Sequence, residues 1–284
     1  MKHAYLIIAH NEFEHLQRLI SALDDERNDI YVHIDRKVRN MPEISCRVST
    51  LTILQNRIDV RWGHISQIKA EYALLRTAYD SKINYDYYHI ISGTHYPLTT
   101  LPEIDNYFSD KKGMTVFAPV PWSRDEIKDK FGRYHFFSDS VNRNNFKEFL
   151  WRLCLRVQGK YHIRNYSWFY EKCSQWVSIS KKDISIILNF EKHIKKLMNH
   201  TLCPDEVFIP TILHSCGILY IIDKKLLFTN FLGASPKELD LSDYSLMIES
   251  NAIFARKFSS SHSTLTDKIT EHVTTKNNNH NPCI

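Results

Sequence analysis

The first hundred residues alternate between unbroken apolar runs and segments of helical period. Ala4-Tyr5-Leu6-Ile7-Ile8-Ala9 is apolar throughout, the signature of a strand covered on both faces in a parallel sheet. Leu16, Leu19, Ile20 and Leu23 then recur at helical spacing, and residues 29–35 predict a second strand. Such a β-α-β unit crosses over right-handedly, so the strand ends at Ala9-His10 and His33–Asp35 share one carboxyl edge, where open α/β sheets hold ligands. Residues 50–54 predict a third strand. A helix follows over 67–81, with Ile68, Tyr72, Leu75 and Tyr79 on one face and Ser66 as its N-cap. A fourth strand over 87–91 again runs into polar residues, Ser92-Gly93-Thr94-His95.

Beyond this the pattern predicts a short helix over 101–108, a strand over 114–118, an irregular excursion over 119–166 holding one helix at 146–157, a strand over 175–179 and an amphipathic helix over 181–198. Pro204 suits the first position of a helix running to about Ser215, which would set Asp205 and Glu206 in its first turn, where free N–H groups and the helix dipole favour carboxylates. A strand over 218–222, a short helix capped by Ser242 and an apolar run over 252–258 complete the core. Residues 1–262 therefore read as a single domain, and 263–284, polar and without evident period, as a disordered tail.

Composition narrows the function. With 37 Lys and Arg against 32 Asp and Glu, the net charge is +5, too modest for a nucleic-acid binder but suited to an anionic ligand or a membrane surface. The six cysteines show no Cys-x-x-Cys pair and no ligand spacing with His, so neither a zinc site nor a disulfide framework is expected. No apolar run approaches the roughly 20 residues of a membrane span, and the reading is a cytoplasmic protein with room for peripheral contact at the inner face of a membrane. Seven glycines and no Gly-x-Gly-x-x-Gly after the first strand leave phosphate to side chains or a helix end.

The basic pair Arg256-Lys257 closes an apolar run and could neutralise a diphosphate. Asp35 could accept from ribose hydroxyls, or simply initiate a turn. Trp62 and Trp176 offer stacking faces or core packing. His95 and Arg133 could face a hydroxylated acceptor. Cys203 has no His nearby in sequence to complete a nucleophile pair.

In fixed order, Ile7-Ile8-Ala9-His10, His33-Ile34-Asp35-Arg36-Lys37, Arg61-Trp62-Gly63-His64-Ile65-Ser66, Ser92 through Leu98, Ser174-Gln175-Trp176, Pro204-Asp205-Glu206 and Phe254-Ala255-Arg256-Lys257-Phe258 resemble the core-2/I-branching glycosyltransferases, the family that includes the peptide O-xylosyltransferases. The resemblance implies an α/β fold of GT-A type with a mixed, mostly parallel sheet flanked by helices. It implies inverting transfer from a UDP-sugar to the hydroxyl of a glycan or lipid-linked glycan, with no metal and no other cofactor. Carried over residue by residue, it makes Glu206 the general base. It places Ile8 and Asp35 at the nucleoside, Val60, Arg61 and Trp62 beside it, Gln175 and Trp176 toward the donor sugar, Ser235 near the phosphates and Arg256 with Lys257 at the diphosphate. His95, Arg133 and Asp205 fall on the acceptor side. Two departures stand out: His95 replaces an acidic residue usual in the family, and Gln175 replaces the Asp of xylosyl enzymes. The second favours N-acetylglucosamine over xylose as the donor sugar. The family's eukaryotic members carry an N-terminal anchor, whereas here the fold starts at residue 4, so a bacterial relative building surface polysaccharide is expected. A UDP-xylose-dependent xylosyltransferase and a non-catalytic sugar-nucleotide-binding protein are the alternatives.

Overall fold

The computed structural model describes residues 1–138, 145–161, 164–232 and 235–280. The opening unit forms as the pattern predicts: β1 (His3–Ala9), α1 (Phe13–Leu23), β2 (Asn28–Ile34), β3 (Thr50–Ile53), α2 (Ser66–Asp80) and β4 (Tyr87–Ser92). All seven residues of β2 are buried, as befits a strand covered on both faces. The chain continues through β5 (Tyr96–Pro97), α3 (Leu101–Asp110), β6 (Val116–Phe117), α4 (Arg124–Phe131), α5 (Asn145–Tyr161) and β7 (Val177–Ser180). It closes with α6 (Ile184–Asn189), α7 (Glu191–Leu197), α8 (Phe208–Ser215), β8 (Ile221–Ile222), β9 (Leu227–Thr229), β10 (Phe231–Leu232), β11 (Ser235–Pro236), α9 (Tyr244–Glu249), β12 (Phe254–Arg256) and α10 (Ser263–His280).

The main sheet is mixed, in the order β3-β2-β1-β4-β7-β6-β8. Strands β1 to β4 are mutually parallel, and β7 runs antiparallel to both β4 and β6. From β1 the chain passes outward through β2 and β3 on one side and returns to β4 on the other, so the carboxyl end of β1 is a topological switch point. Because β7 is antiparallel, the residues that enter it, Gln175 and Trp176, arrive at this same edge. A second sheet, β5-β12-β9, delivers Arg256 at the end of β12. Two apolar layers sandwich the main sheet, one around α2 with Tyr72, Leu75 and Phe208, the other around α1 with Leu16, Leu19 and Ile20.

Several expectations are corrected. The amphipathic run expected over 181–198 divides at Phe190 into α6 and α7. Ser66 is the first residue of α2, not its cap, and its hydroxyl accepts from the Arg61 N–H at 2.8 Å. The expected disordered tail is, over Ser263–His280, an α-helix with Leu265 and Ile269 fully buried; residues 281–284, including Cys283, lie outside the described residues. Its apolar positions Leu265, Ile269 and Val273 do repeat every four residues, a period masked by the Thr, Lys and Asn between them.

The helix expected to open at Pro204 is also different. Pro204–Glu206 is a single 3-10 turn, Val207 leaves helical geometry at φ −135°, and α8 begins at Phe208. Pro210 explains the break. It has no N–H to give the Glu206 carbonyl, which accepts instead from the Cys173 N–H at 2.9 Å. Asp205 and Glu206 therefore precede the helix and gain little from its dipole.

Candidate functional site

A cleft of about 460 Å³ opens at the switch point. Nine residues singled out from sequence line it: Ile8, Asp35, Val60, Arg61, Trp62, Gln175, Trp176, Arg256 and Lys257. Close packing brings the strand ends together. The Asp35 N–H donates to the Ala9 carbonyl at 2.9 Å, and a Cβ on Gly93 would lie 2.9 Å from the Ala9 methyl, so only glycine allows the loop after β4 this near β1. Gly63 serves the opposite wall. Its φ of +67° and a Cβ position 2.9 Å from Leu202 exclude other residues, and its carbonyl accepts from the Cys203 N–H at 2.9 Å. That bond ties the Arg61-Trp62-Gly63 loop to the Pro204–Glu206 turn.

Asp35 is 2% exposed. Its Oδ1 accepts from the Lys37 N–H at 2.8 Å, and its Oδ2 from Lys37 Nζ at 2.7 Å and the Val60 N–H at 3.2 Å. The turn-initiating role weighed from sequence is thus present, and it fixes the loop that carries Trp62. Trp62 itself is 77% exposed, a bare aromatic face at the cleft mouth. Trp176, by contrast, is held between partners: His95 meets it edge-on at 4.9 Å, and the Arg256 guanidinium lies 4.9 Å from its ring centre.

Arg256 is electrostatically unusual. Among the described residues it has neither an ion pair nor a hydrogen bond, its Nε is shut away from solvent without a partner, and burial lowers its pKa to about 10. Lys257 differs, with Glu238 at 3.4 Å. A guanidinium that has lost part of its hydration and found no carboxylate is a standing invitation to an anion.

Two glutamines that line the cleft, Gln67 and Gln175, are each anchored on a buried carboxyl group. Gln67 donates to Asp205 Oδ2 at 3.1 Å and accepts from the Gly63 N–H at 2.6 Å, while Gln175 donates to Glu71 Oε1 at 2.8 Å. Burial, reinforced by Glu206, pushes the Asp205 carboxyl up to about 7; burial, reinforced by Asp205, raises that of Glu71 well above the usual range. Neither Glu71 nor Gln67 was anticipated from sequence. Glu71 sits on the inner face of α2, where an acid in an otherwise apolar stripe is the one available signal.

Glu206 faces a different set of groups. Its Oε2 lies 3.4 Å from both Lys130 and Lys172, and these lysines share Glu126 at 2.8 and 2.7 Å. Its side chain is 23% exposed. It belongs to the same turn as Asp205 but is not among the residues lining the cleft. Three further candidates lie outside the lining of the cleft. His95 is 1% exposed, with Nδ1 engaged by Ser92 at 2.7 Å, so it buttresses Trp176 and is closed to an acceptor. Arg133 does not line the cleft and pairs with Asp129 at 2.9 Å. Ser235, on the exposed strand β11, does not line the cleft either. Of the acceptor-side residues, Asp205 alone is coupled to the cleft, and it is buried. Among the described residues no group of three or more His, Cys, Asp or Glu is arranged to hold a metal ion.

The family model for the Core-2/I-Branching enzyme matches residues 3–230. Curated relatives include Xylosyltransferase oxt of Drosophila pseudoobscura pseudoobscura, 21% identical over 282 residues and covering 86% of this chain and 30% of the relative. Xylosyltransferase 2 of Rattus norvegicus is 20% identical over 286 residues, covering 90% of this chain and 32% of the relative. The chain thus spans about a third of the length of these relatives. Among solved structures, the apo form of mouse xyloside xylosyltransferase 1 aligns over 92% of this chain and 98% of its own, at 8% identity and a TM-score of 0.41.

Proposed function

The chain belongs to the core-2/I-branching enzyme family, and from that premise we propose that it is an inverting glycosyltransferase that passes a sugar from UDP to a glycan hydroxyl, with protein cations in place of a metal at the diphosphate. The observation that carries this reading is Arg256, a partly desolvated guanidinium with no protein anion, placed beside Trp176 in the cleft. As the sugar–phosphate bond breaks, negative charge grows on the leaving UDP. A cation already fixed there favours that charge more than it favours the intact donor. Trp62 supplies a face for the base, and Glu206 takes the proton of the acceptor hydroxyl as the C–O bond forms.

N-acetylglucosamine is the favoured sugar. The support is Gln175: an Asp there would set a second acid against buried Glu71, whereas the amide donates to Glu71 Oε1. Xylose is the second reading, supported by the names of the curated relatives. Synthesis of a bacterial surface polysaccharide is the setting we propose. Incubation with a panel of UDP-sugars, with and without a chelator, tests the whole reading. Release of UDP from one donor, unchanged by chelation, is expected; release that needs a divalent cation would remove the role given to Arg256, and a chain that binds UDP but never turns over any donor with any acceptor would be a sugar-nucleotide-binding protein.

A further inference from the structure

Helix α5 carries a feature that the cleft does not use. Phe146, Phe149, Leu153 and Val157 are 69%, 61%, 45% and 49% exposed. At 100° per residue they fall within about 80° of arc, a continuous apolar stripe turned to solvent. The opposite face packs onto the body through Gln158, which is buried and donates to the Tyr134 carbonyl at 2.9 Å, and through Trp151, 6.0 Å from His135. Single exposed apolar residues are ordinary, whereas four along one helix face call for an occupant.

The charges beside the stripe indicate which occupant. Lys147 borders it on one flank, and Arg152 and Arg156 on the other, all three exposed. Over the same stretch the only acid is Glu148, and Arg152 holds it at 2.7 Å. An apolar stripe edged by cations on both sides matches an anionic lipid surface: aromatic and aliphatic side chains enter the acyl boundary while basic groups meet the headgroups. Among the described residues no helix is long and apolar enough to cross a membrane, so contact through α5 would lie in the plane of the interface.

We propose that α5 docks this protein onto anionic membrane, with Phe146, Phe149, Leu153 and Val157 inserted and Lys147, Arg152 and Arg156 on the headgroups. None of these residues lines the cleft, so the inference stands apart from the reaction performed there. The test is co-flotation of the full chain with phosphatidylcholine vesicles, with and without phosphatidylglycerol. Flotation should require the anionic lipid and weaken with added salt. Phe149→Glu combined with Leu153→Glu should abolish it, and Arg156→Gln, which leaves the apolar stripe whole, should weaken it about fivefold. UDP binding should be unaltered in both variants. Absence of flotation, or equal flotation with neutral vesicles, would overturn the proposal. So would a concentration-dependent dimer dispersed by the double variant, because the stripe would then be covered by a second copy.

Discussion

Replacing Arg256 by Met should make the unliganded protein more stable and the UDP complex much weaker. The substitution keeps an unbranched side chain beside Trp176 and removes the charge. Burial lowers the Arg256 pKa from 12.5 to about 10, which corresponds to roughly 3 kcal/mol of lost hydration. The side chain keeps some solvent contact, which screens this to about 2 kcal/mol, and losing the contact with the Trp176 ring gives back about 1 kcal/mol. A net gain of about 1 kcal/mol should raise Tm by roughly 2–4 °C for a chain of this class. Binding should move the other way. Removing one member of a desolvated charge pair costs roughly 2–5 kcal/mol, a weakening of UDP affinity of about 30-fold or more. Thermal unfolding with and without UDP, together with calorimetric titration, reads both effects on the same samples. A variant that unfolds several degrees lower and binds UDP as before would refute the reasoning, since Arg256 would then be a structural cation.

Three other outcomes follow from the same site. Glu206→Gln should leave UDP affinity unchanged and lower turnover by about 10²-fold or more; undiminished turnover would move the base elsewhere. Asp205 holds a proton in the folded chain that it loses when unfolded between its ordinary 3.8 and about 7, so stability should fall as pH rises through that window and level off above it, by on the order of 4 kcal/mol at most. Asp205→Asn, which keeps an acceptor for Gln67, should flatten a plot of Tm against pH from 4 to 8, and an unaltered slope would show that this carboxyl is ionised throughout. Trp62→Ala, at a side chain largely in solvent, should change stability by no more than about 0.5 kcal/mol while weakening UDP binding by about 1–3 kcal/mol; unchanged affinity would assign Trp62 to the acceptor or to nothing.

The parts of this molecule that sequence reveals are those where one residue type answers one local demand. A continuous apolar run marks β1 and predominantly apolar runs mark β2 and β4, because strands buried on both faces leave little room for alternation, and the polar residues that end those runs fall at the cleft because parallel strands share a carboxyl edge. Arg256 and Lys257 are legible for a related reason, being charges at the close of a buried strand. What escaped depends on contacts between segments far apart in the chain. Pro210 shortens α8 and so removes Asp205 and Glu206 from a helix end, yet the decisive bond, from the Cys173 N–H to the Glu206 carbonyl, joins residues no local pattern connects. His95 looks like a candidate in any motif, and only the tertiary packing that seals it beneath Trp176 shows that it acts on another side chain. Glu71 is a single acid within a helix of apolar period, and its meaning appears only when Gln175 arrives from a different strand. The helix α10 was hidden by composition, its Leu265, Ile269 and Val273 outnumbered by polar neighbours.

The most direct measurement is the position of UDP in crystals grown with a chelator. A diphosphate oxygen within hydrogen-bonding distance of the Arg256 guanidinium, with the base near Trp62, is the predicted result. UDP found outside this cleft, or bound in it with Arg256 still unpaired and the phosphates held by other groups, would contradict it.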